Sequence, residues 1–237
     1  MQTRWGAARR HTGMAALAAL FSAAVAGCGA APVTVQDVAV DYALLDSTPT
    51  SPIDYETRVR PILESRCVVC HGCYDAPCQL KLSSHAGIER GGSKEIVYDG
   101  ARITAMDPTR LFIDALSSAE WRQKGFHAVL AEGVQSPYDL LDRSVLYQML
   151  RLKQRHPQPL TGPIDPSIDT SLARKASCAT REEFDSYASE HPGQGMPFAL
   201  PNLSPEDYET LVHWLAQGAP ASAAVSVPPT VPAEVAS

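Results

Sequence analysis

The sequence predicts a mainly α-helical domain that carries a long, loop-rich insertion. Apolar residues recur at helical spacing in 54–66, 144–155 and 204–218. The 19 prolines and 15 glycines predict many turns and irregular connections. We therefore expect one domain over residues 54–219, with the insertion at about 80–190.

Residues 1–27 have the pattern of an export signal peptide. A basic stretch ending at Arg10 precedes the apolar residues 14–26, which are too few to span a bilayer. Residues 25–28 resemble a bacterial lipobox, whose Cys28 is lipidated, and simple cleavage after Ala26 is the alternative. The pattern predicts a periplasmic lipoprotein held at the membrane by its N-terminal lipid.

Two further stretches lack periodicity. Residues 28–53 mix small, apolar and hydroxyl side chains and predict a lipid-anchored tether. Residues 220–237 are mostly proline, alanine, valine and serine, with one charge at Glu234, and predict a disordered tail. The formal net charge of −6 argues against nucleic acid as a partner.

The first predicted helix covers residues 54–66. Asp54 is placed to cap it, and Tyr55, Val59 and Ile62 recur at helical spacing. Pro61 either kinks this helix or marks its true first turn. In both cases a helix delivers Cys67 at its C-terminal end.

The insertion contains weaker signals. Residues 79–83 alternate and predict a short strand, 108–115 predict a short helix, and 121–130 predict an irregular segment. A helix over 144–155 ends at His156-Pro157, and the proline-rich residues 157–177 predict a loop. Thr180-x-x-Glu183 is a capping box that predicts a helix stopped by Pro192.

The last predicted helix has strong signals at both ends. Ser204 is its N-cap, Pro205 occupies the first helical position, and Gly218 follows the C-terminus. Tyr208 and Leu211 begin its apolar face.

Cys67-Val68-Val69-Cys70-His71 is the pattern of covalent c-type haem attachment. Each cysteine adds to a vinyl group to form a thioether, and His71 is then the proximal iron ligand. Such haems are attached outside the cytoplasm, in agreement with the export signal. The sequence thus predicts one covalent haem c on Cys67, Cys70 and His71.

Met196, followed by Pro197 in a glycine-rich loop, is the candidate distal iron ligand. Helix, haem motif, Gly-x-Gly-Met-Pro and capped terminal helix follow one another as in class I cytochromes c. The predicted fold is therefore a class I cytochrome c-like helical haem domain with an insertion. Five other histidines are interpreted as surface or loop residues, although any could replace Met196: His85, His127, His156, His191 and His213.

Three cysteines remain after lipidation and haem attachment. Cys73 and Cys78 could close a short disulfide loop, and a pairing with Cys178 is the alternative that the sequence leaves open. The spacing from Cys67 to Cys78 also resembles an iron–sulfur run, but its last interval is four rather than three residues.

A longer set of residues resembles the haem region of the bacterial fatty acid cis/trans isomerases. The resemblance covers roughly 54–220, and its matching stretches are 55–82, 97–100, 108–114, 121–127 and 195–201. It implies an exported haem enzyme that converts cis double bonds of membrane unsaturated fatty acids to trans. Members are considerably longer, so a missing C-terminal part of the enzyme is an expected partner.

The resemblance implies that haem iron, held through His71, withdraws electron density from the double bond of a phospholipid acyl chain or free fatty acid. An acyl groove beside the haem is then expected. Core packing is the favoured alternative role for each of its candidate residues, which are Leu111, Phe112, Trp121, Phe126 and Leu146. The alternative function is electron transfer by a periplasmic c-type cytochrome lipoprotein, with firm His/Met ligation and no groove.

Overall fold

The computed structural model describes residues 41–73, 76–99, 102–103, 105–158, 161–163, 166, 168 and 178–222. The predicted signal peptide, the predicted lipidation site Cys28 and most of the predicted tail therefore lie outside the described residues. Within them, helices dominate and strands are confined to one short hairpin, which confirms the mainly α class. The likeness to class I cytochromes c stays a prediction.

The helices are, in chain order, α1 (Tyr42–Asp46), α2 (Arg60–Arg66), α3 (Val68–His71), α4 (His85–Arg90), α5 (Ser118–Gln123), α6 (Pro137–Asp142), α7 (Val145–Arg155), α8 (Phe184–Glu190) and α9 (Pro205–Ala216). A π-helical turn covers Tyr55–Val59, and 3₁₀ turns cover Pro77–Gln79 and Pro192–Gln194. Strands β1 (Tyr98–Asp99) and β2 (Arg102–Ile103) pair antiparallel, with Tyr98 opposite Ile103. No described helix is long and apolar enough to cross a bilayer.

Helix α9 lies at the centre of the main core. The Ser204 hydroxyl accepts from the Asp207 amide at 3.1 Å, and Gly218 adopts φ of +84° after the last turn, so both predicted ends are confirmed. α9 packs on α1, α6, α7 and the π-helical turn. Trp214 is fully buried and packs beside the ring of Tyr55.

The segment that leads to the haem motif begins with Asp54 as its N-cap, as predicted. The Asp54 carboxylate accepts from the Thr57 amide at 2.9 Å, and the chain passes through the π-helical turn before α2 begins. Pro61 lies in the first turn of α2, where a missing amide hydrogen breaks no helical bond. α2 then runs to Arg66 and leaves Cys67 at the junction with α3.

Part of the predicted tether contacts the domain. The Asp41 amide donates to the hydroxyl of Tyr147 at 3.1 Å. The Gln217 side chain accepts from the Ile53 amide and donates to the carbonyls of Pro49 and Ser51. Residues 41–53 are therefore fixed against α7 and α9 by long-range hydrogen bonds, which the absence of periodicity did not predict.

Two predictions within the insertion are wrong. Residues 79–83 form no strand, because Cys78 and Gln79 adopt positive φ and turn the chain. Residues 108–115 form a turn rather than a helix, since Phe112 has φ of +66° and a bidentate Arg110–Asp114 pair closes the segment.

Two helix starts also differ from the prediction. The predicted irregular segment 121–130 begins inside helix α5. A capping box of Ser117 and Glu120 begins this helix. The predicted helix that Pro192 stops is confirmed as α8, but it begins at Phe184 rather than after Thr180, whose amide donates to the Glu183 carboxylate. By contrast, α7 is confirmed with Ser144 as its N-cap and His156 as its C-cap.

Candidate functional site

One cavity lies between the haem motif, the Met196 loop and helix α7. The volume available to a water-sized molecule is about 100 Å³, and the cavity opens to solvent at its mouth. The four residues that the sequence assigned to haem all line it: Cys67, Cys70, His71 and Met196. The fold thus brings His71 and Met196, which are 125 positions apart in the sequence, to the same cavity.

Helical geometry presents the three residues of the haem motif together. The His71 amide donates to the Cys67 carbonyl at 2.9 Å, as expected in a helical turn. Positions three and four apart share a helix face, so Cys70 and His71 both neighbour Cys67. Cys70 is exposed, Cys67 is partly buried and His71 is buried. The motif therefore runs from the cavity mouth inward.

A close approach of backbones holds the Met196 loop. The Met196 amide donates to the Met149 carbonyl on α7 at 3.0 Å. A Cβ on Gly195 would lie 2.2 Å from the Lys153 backbone nitrogen, so only glycine fits against α7 here. Gly195, directly before Met196, thus sets the depth of Met196 at the cavity wall.

The lining of the cavity is mostly apolar. It includes residues from α2, α7 and α9 and from the loops on either side: Leu63, Leu80, Leu82, Val129, Leu146, Leu150, Phe198, Leu200 and Leu211. A porphyrin needs such a wall, together with two thiols for its vinyl groups and nitrogen or sulfur ligands for its iron. The donor set and the apolar wall fit a c-type haem.

The disulfide joins Cys78 to Cys178, the pairing that the sequence left open, and does not close the short Cys73–Cys78 loop. Cys78 is bonded to Cys178, 100 positions away, and Cys73 is a free, exposed cysteine. The predicted Cys73–Cys78 pair is therefore wrong. The physical reason is the turn at Cys78, which brings this residue to the cavity wall beside Cys178.

This pairing also bears on the iron–sulfur alternative. Cys78 is consumed by the disulfide and cannot serve as the fourth thiolate of a cluster. Among the described residues, no group of three or more cysteine, histidine or acidic side chains is arranged to hold a metal ion. The Cys67-to-Cys78 run does not form a cluster site in this fold.

The histidines differ in their surroundings. His85 and His213 each place Nε2 within hydrogen-bond distance of a backbone carbonyl, of Ala219 and Leu44 respectively. His127 instead lines the cavity, where burial and the positive charges of Lys94 and Arg122 lower its pKa. His127 is thus a cavity residue, and it is one of the five histidines that the sequence allowed as alternatives to Met196.

Only one of the five groove candidates lies at the cavity. Leu146 lines it. Trp121, Phe126 and Leu111 pack together in a separate cluster with Ala115. Phe112 is 72% exposed. Core packing, the role that the sequence favoured for these residues, is therefore confirmed for Trp121 and Phe126. A groove formed by all five candidates is wrong, since Phe112 is exposed at its positive φ.

Two cationic side chains near the site were missed by the sequence reasoning. Arg66 lines the cavity directly before Cys67, and Lys153 is buried on α7. The available signal was the position of Lys153, seven residues after Leu146 on the apolar face of the helix. Burial raises the pKa of the Cys67 thiol to about 11, so this sulfur stays protonated at neutral pH.

Comparison with known proteins yields one match. The family model for fatty acid cis/trans isomerase matches residues 106–237, more than half of the chain. The matched segment contains Met196, His127 and Cys178 but begins after the haem motif. No curated protein and no solved structure matches the chain.

Proposed function

The chain belongs to the fatty acid cis/trans isomerase family, and we propose that it uses one covalent haem c to convert cis double bonds of unsaturated membrane fatty acids to trans. The observation that carries the proposal is the shared cavity of Cys67, Cys70, His71 and Met196. The family match begins at residue 106, so it does not depend on the haem motif. Two separate parts of the chain thus support one function.

The chain would hold the group with four side chains. Cys67 and Cys70 supply the thioether sulfurs, His71 the proximal imidazole and Met196 the candidate distal sulfur. When bound, haem iron supplies an electron acceptor that transiently lowers the bond order of the substrate's C=C, with no net redox change.

The apolar wall binds the substrate and excludes water. Burial of an acyl chain in such surroundings is favourable by about 0.8 kcal/mol of free energy per methylene. Leu146, Leu150 and Leu211 line the wall from two helices that pack on each other. Met196 lies on a loop rather than a helix, so its segment can move aside without unfolding α7 or α9.

A second surface suits contact with the bilayer that contains the substrate. Phe112, Ile113 and Leu116 are 72%, 65% and 80% exposed, and we name residues 111–116 the apolar loop. Large exposed apolar clusters mark interaction sites. The Arg110–Asp114 pair and the Leu111–Ala115 bridge hold the loop in shape.

The base of the apolar loop is connected to the cavity wall. Arg90 donates to the carbonyl of Thr109, just before the loop, at 2.8 Å, and also to the carbonyl of Gln79. Gln79 follows Cys78, which lines the cavity. Arg90 thus links the base of the apolar loop to the segment beside the cavity wall.

One observation favours electron transfer as a second candidate. Cys70 is exposed and Val69 is 73% exposed, so the attachment site itself reaches the surface. A haem edge there would be open to a redox partner. This function needs neither an acyl chain in the cavity nor contact with lipid.

The test is a direct product assay. Haem-loaded protein is incubated with vesicles of cis-unsaturated phospholipid and, separately, with the free fatty acid, and trans product is counted by gas chromatography. We expect trans product, and none from a Cys67→Ser/Cys70→Ser variant that lacks haem. A correctly loaded protein that yields no trans product would leave electron transfer as the function.

A further inference from the structure

Lys153 is a buried cation that has no counter-ion among the described residues. It lies on α7 with 1% of its surface exposed, and its Nζ has no hydrogen-bond partner among the residues that the structure describes. Burying an ammonium without a partner is costly, and buried charges are normally paired. The position is therefore suited to an anion that the polypeptide itself does not provide.

Arg66 is the second cation of this pair. Its Nη2 donates to the carbonyls of Pro201 at 2.6 Å and Asn202 at 3.3 Å, while its Nε is buried without a partner in the described part of the chain. The guanidinium thus contacts neutral acceptors and no carboxylate there. Asn202, whose carbonyl accepts from Arg66, also donates through its side-chain amide to Gln154 on α7 at 3.3 Å, directly after Lys153 in the sequence. Burial and the positive charge of Arg66 lower the pKa of Lys153 to about 8.

The two cations lie next to both halves of the candidate haem site. Arg66 lines the cavity and directly precedes Cys67. The backbone of Lys153 contacts Gly195, which directly precedes Met196. A negative group that reaches Arg66 and Lys153 would therefore lie at the edge of whatever fills the cavity.

We infer that Arg66 and Lys153 form a carboxylate-binding site at the wall of the cavity. Arginine offers a planar fork that matches a carboxylate, and lysine adds a compact point charge. The inference rests on the proposed function, which brings two sources of this chemistry to the cavity: a propionate of the haem and the head group of a free fatty acid.

The test uses haem-loaded protein and the variants Lys153→Met and Arg66→Gln. Arg58→Gln, which removes an exposed cation from the π-helical turn, is the matched control. Binding of oleate and of methyl oleate, which lacks the carboxylate, is measured by calorimetry. The haem midpoint potential is measured as a function of pH in the absence of fatty acid.

A fatty-acid site predicts at least a tenfold loss of oleate affinity in both variants, with unchanged methyl oleate affinity. A propionate site predicts unchanged oleate affinity and a new pH dependence of the midpoint potential, because the propionate loses its counter-ion and its pKa rises. If neither quantity differs from the Arg58→Gln control, the inference is overturned.

Isomerase activity of the wild type is assayed in the same preparation. An inactive wild type whose oleate affinity or potential still depends on Lys153 rejects the proposed function and leaves the carboxylate site intact. Arg66→Gln controls for a local structural effect of Lys153→Met on α7. Arg66 lies on a different helix, and both variants are expected to change the same quantity in the same direction.

Discussion

Cys78 and Cys178 are joined by a disulfide that spans 100 positions, and both line the cavity that contains the haem motif. The bond links the end of the motif segment to the segment that leads into α8. It therefore closes the cavity wall covalently on the side where residues 79–177 leave and return.

Removing this disulfide is expected to destabilise the protein. Closing a loop of about 100 residues contributes roughly 2–5 kcal/mol, chiefly by restricting the unfolded chain. Cys178→Ser should therefore lower the melting temperature of oxidised protein by roughly 5–15 °C. Cys73→Ser is the control, because Cys73 is free and exposed, and it should melt with the wild type; equal melting of all three proteins would contradict the pairing.

The distal ligand can be identified from the haem spectrum. Ferric haem with methionine sulfur on the iron has a weak long-wavelength charge-transfer band, and methionine ligation raises the midpoint potential. Met196→Ala should abolish this band and lower the potential. His127→Ala should preserve both. A band that survives in Met196→Ala, or a spectrum that changes only in His127→Ala, would assign the ligand elsewhere.

Gly195 is expected to be intolerant of any side chain. An added Cβ would lie 2.2 Å from the Lys153 nitrogen and 2.6 Å from its Cα, so backbone must move. Gly195→Ala should cost about 1–3 kcal/mol in unfolding free energy, measured by denaturant titration, and weaken the methionine band. In the same loop, Gly193→Ala meets only the Ile168 side chain at 3.1 Å and should cost little. Equal costs for the two variants would refute the argument.

The apolar loop is expected to bind bilayers. Burying each of its exposed side chains contributes about 1.5–3 kcal/mol. Phe112→Ser and Leu116→Ser should each reduce co-sedimentation with phosphatidylethanolamine/phosphatidylglycerol vesicles about tenfold. Tyr42→Ser is the control, because Tyr42 is 62% exposed but lies on α1, away from the cluster that supports the loop. Loss of vesicle binding by the control alone, or by none of the three, would reject the loop as the contact.

Local signals predicted the parts of the fold that depend on local chemistry. Asp54 and Ser204 act as caps because their side chains reach amides three residues ahead, a geometry that sequence spacing fixes. The haem motif is similarly local, since one helical turn brings Cys67 and His71 together. Met196 could be identified from the glycine and proline beside it.

What the sequence could not predict depends on contacts across the insertion. The partner of Cys78 lies 100 positions away. Spacing alone could not distinguish this partner from the nearer Cys73. Phe112 was placed in a groove by its apolar character, but its positive φ exposes it. The position of Lys153 on the apolar face of α7 was a local signal, but the close approach of Gly195 to its backbone has none.

The central claim is that haem is attached covalently to Cys67 and Cys70. The most direct test is the intact mass of the mature protein, expressed in a host with cytochrome c maturation and denatured in acid before measurement. The account predicts an increase equal to one haem, lost in the Cys67→Ser/Cys70→Ser variant. A colourless wild type with the mass of the bare polypeptide would contradict it.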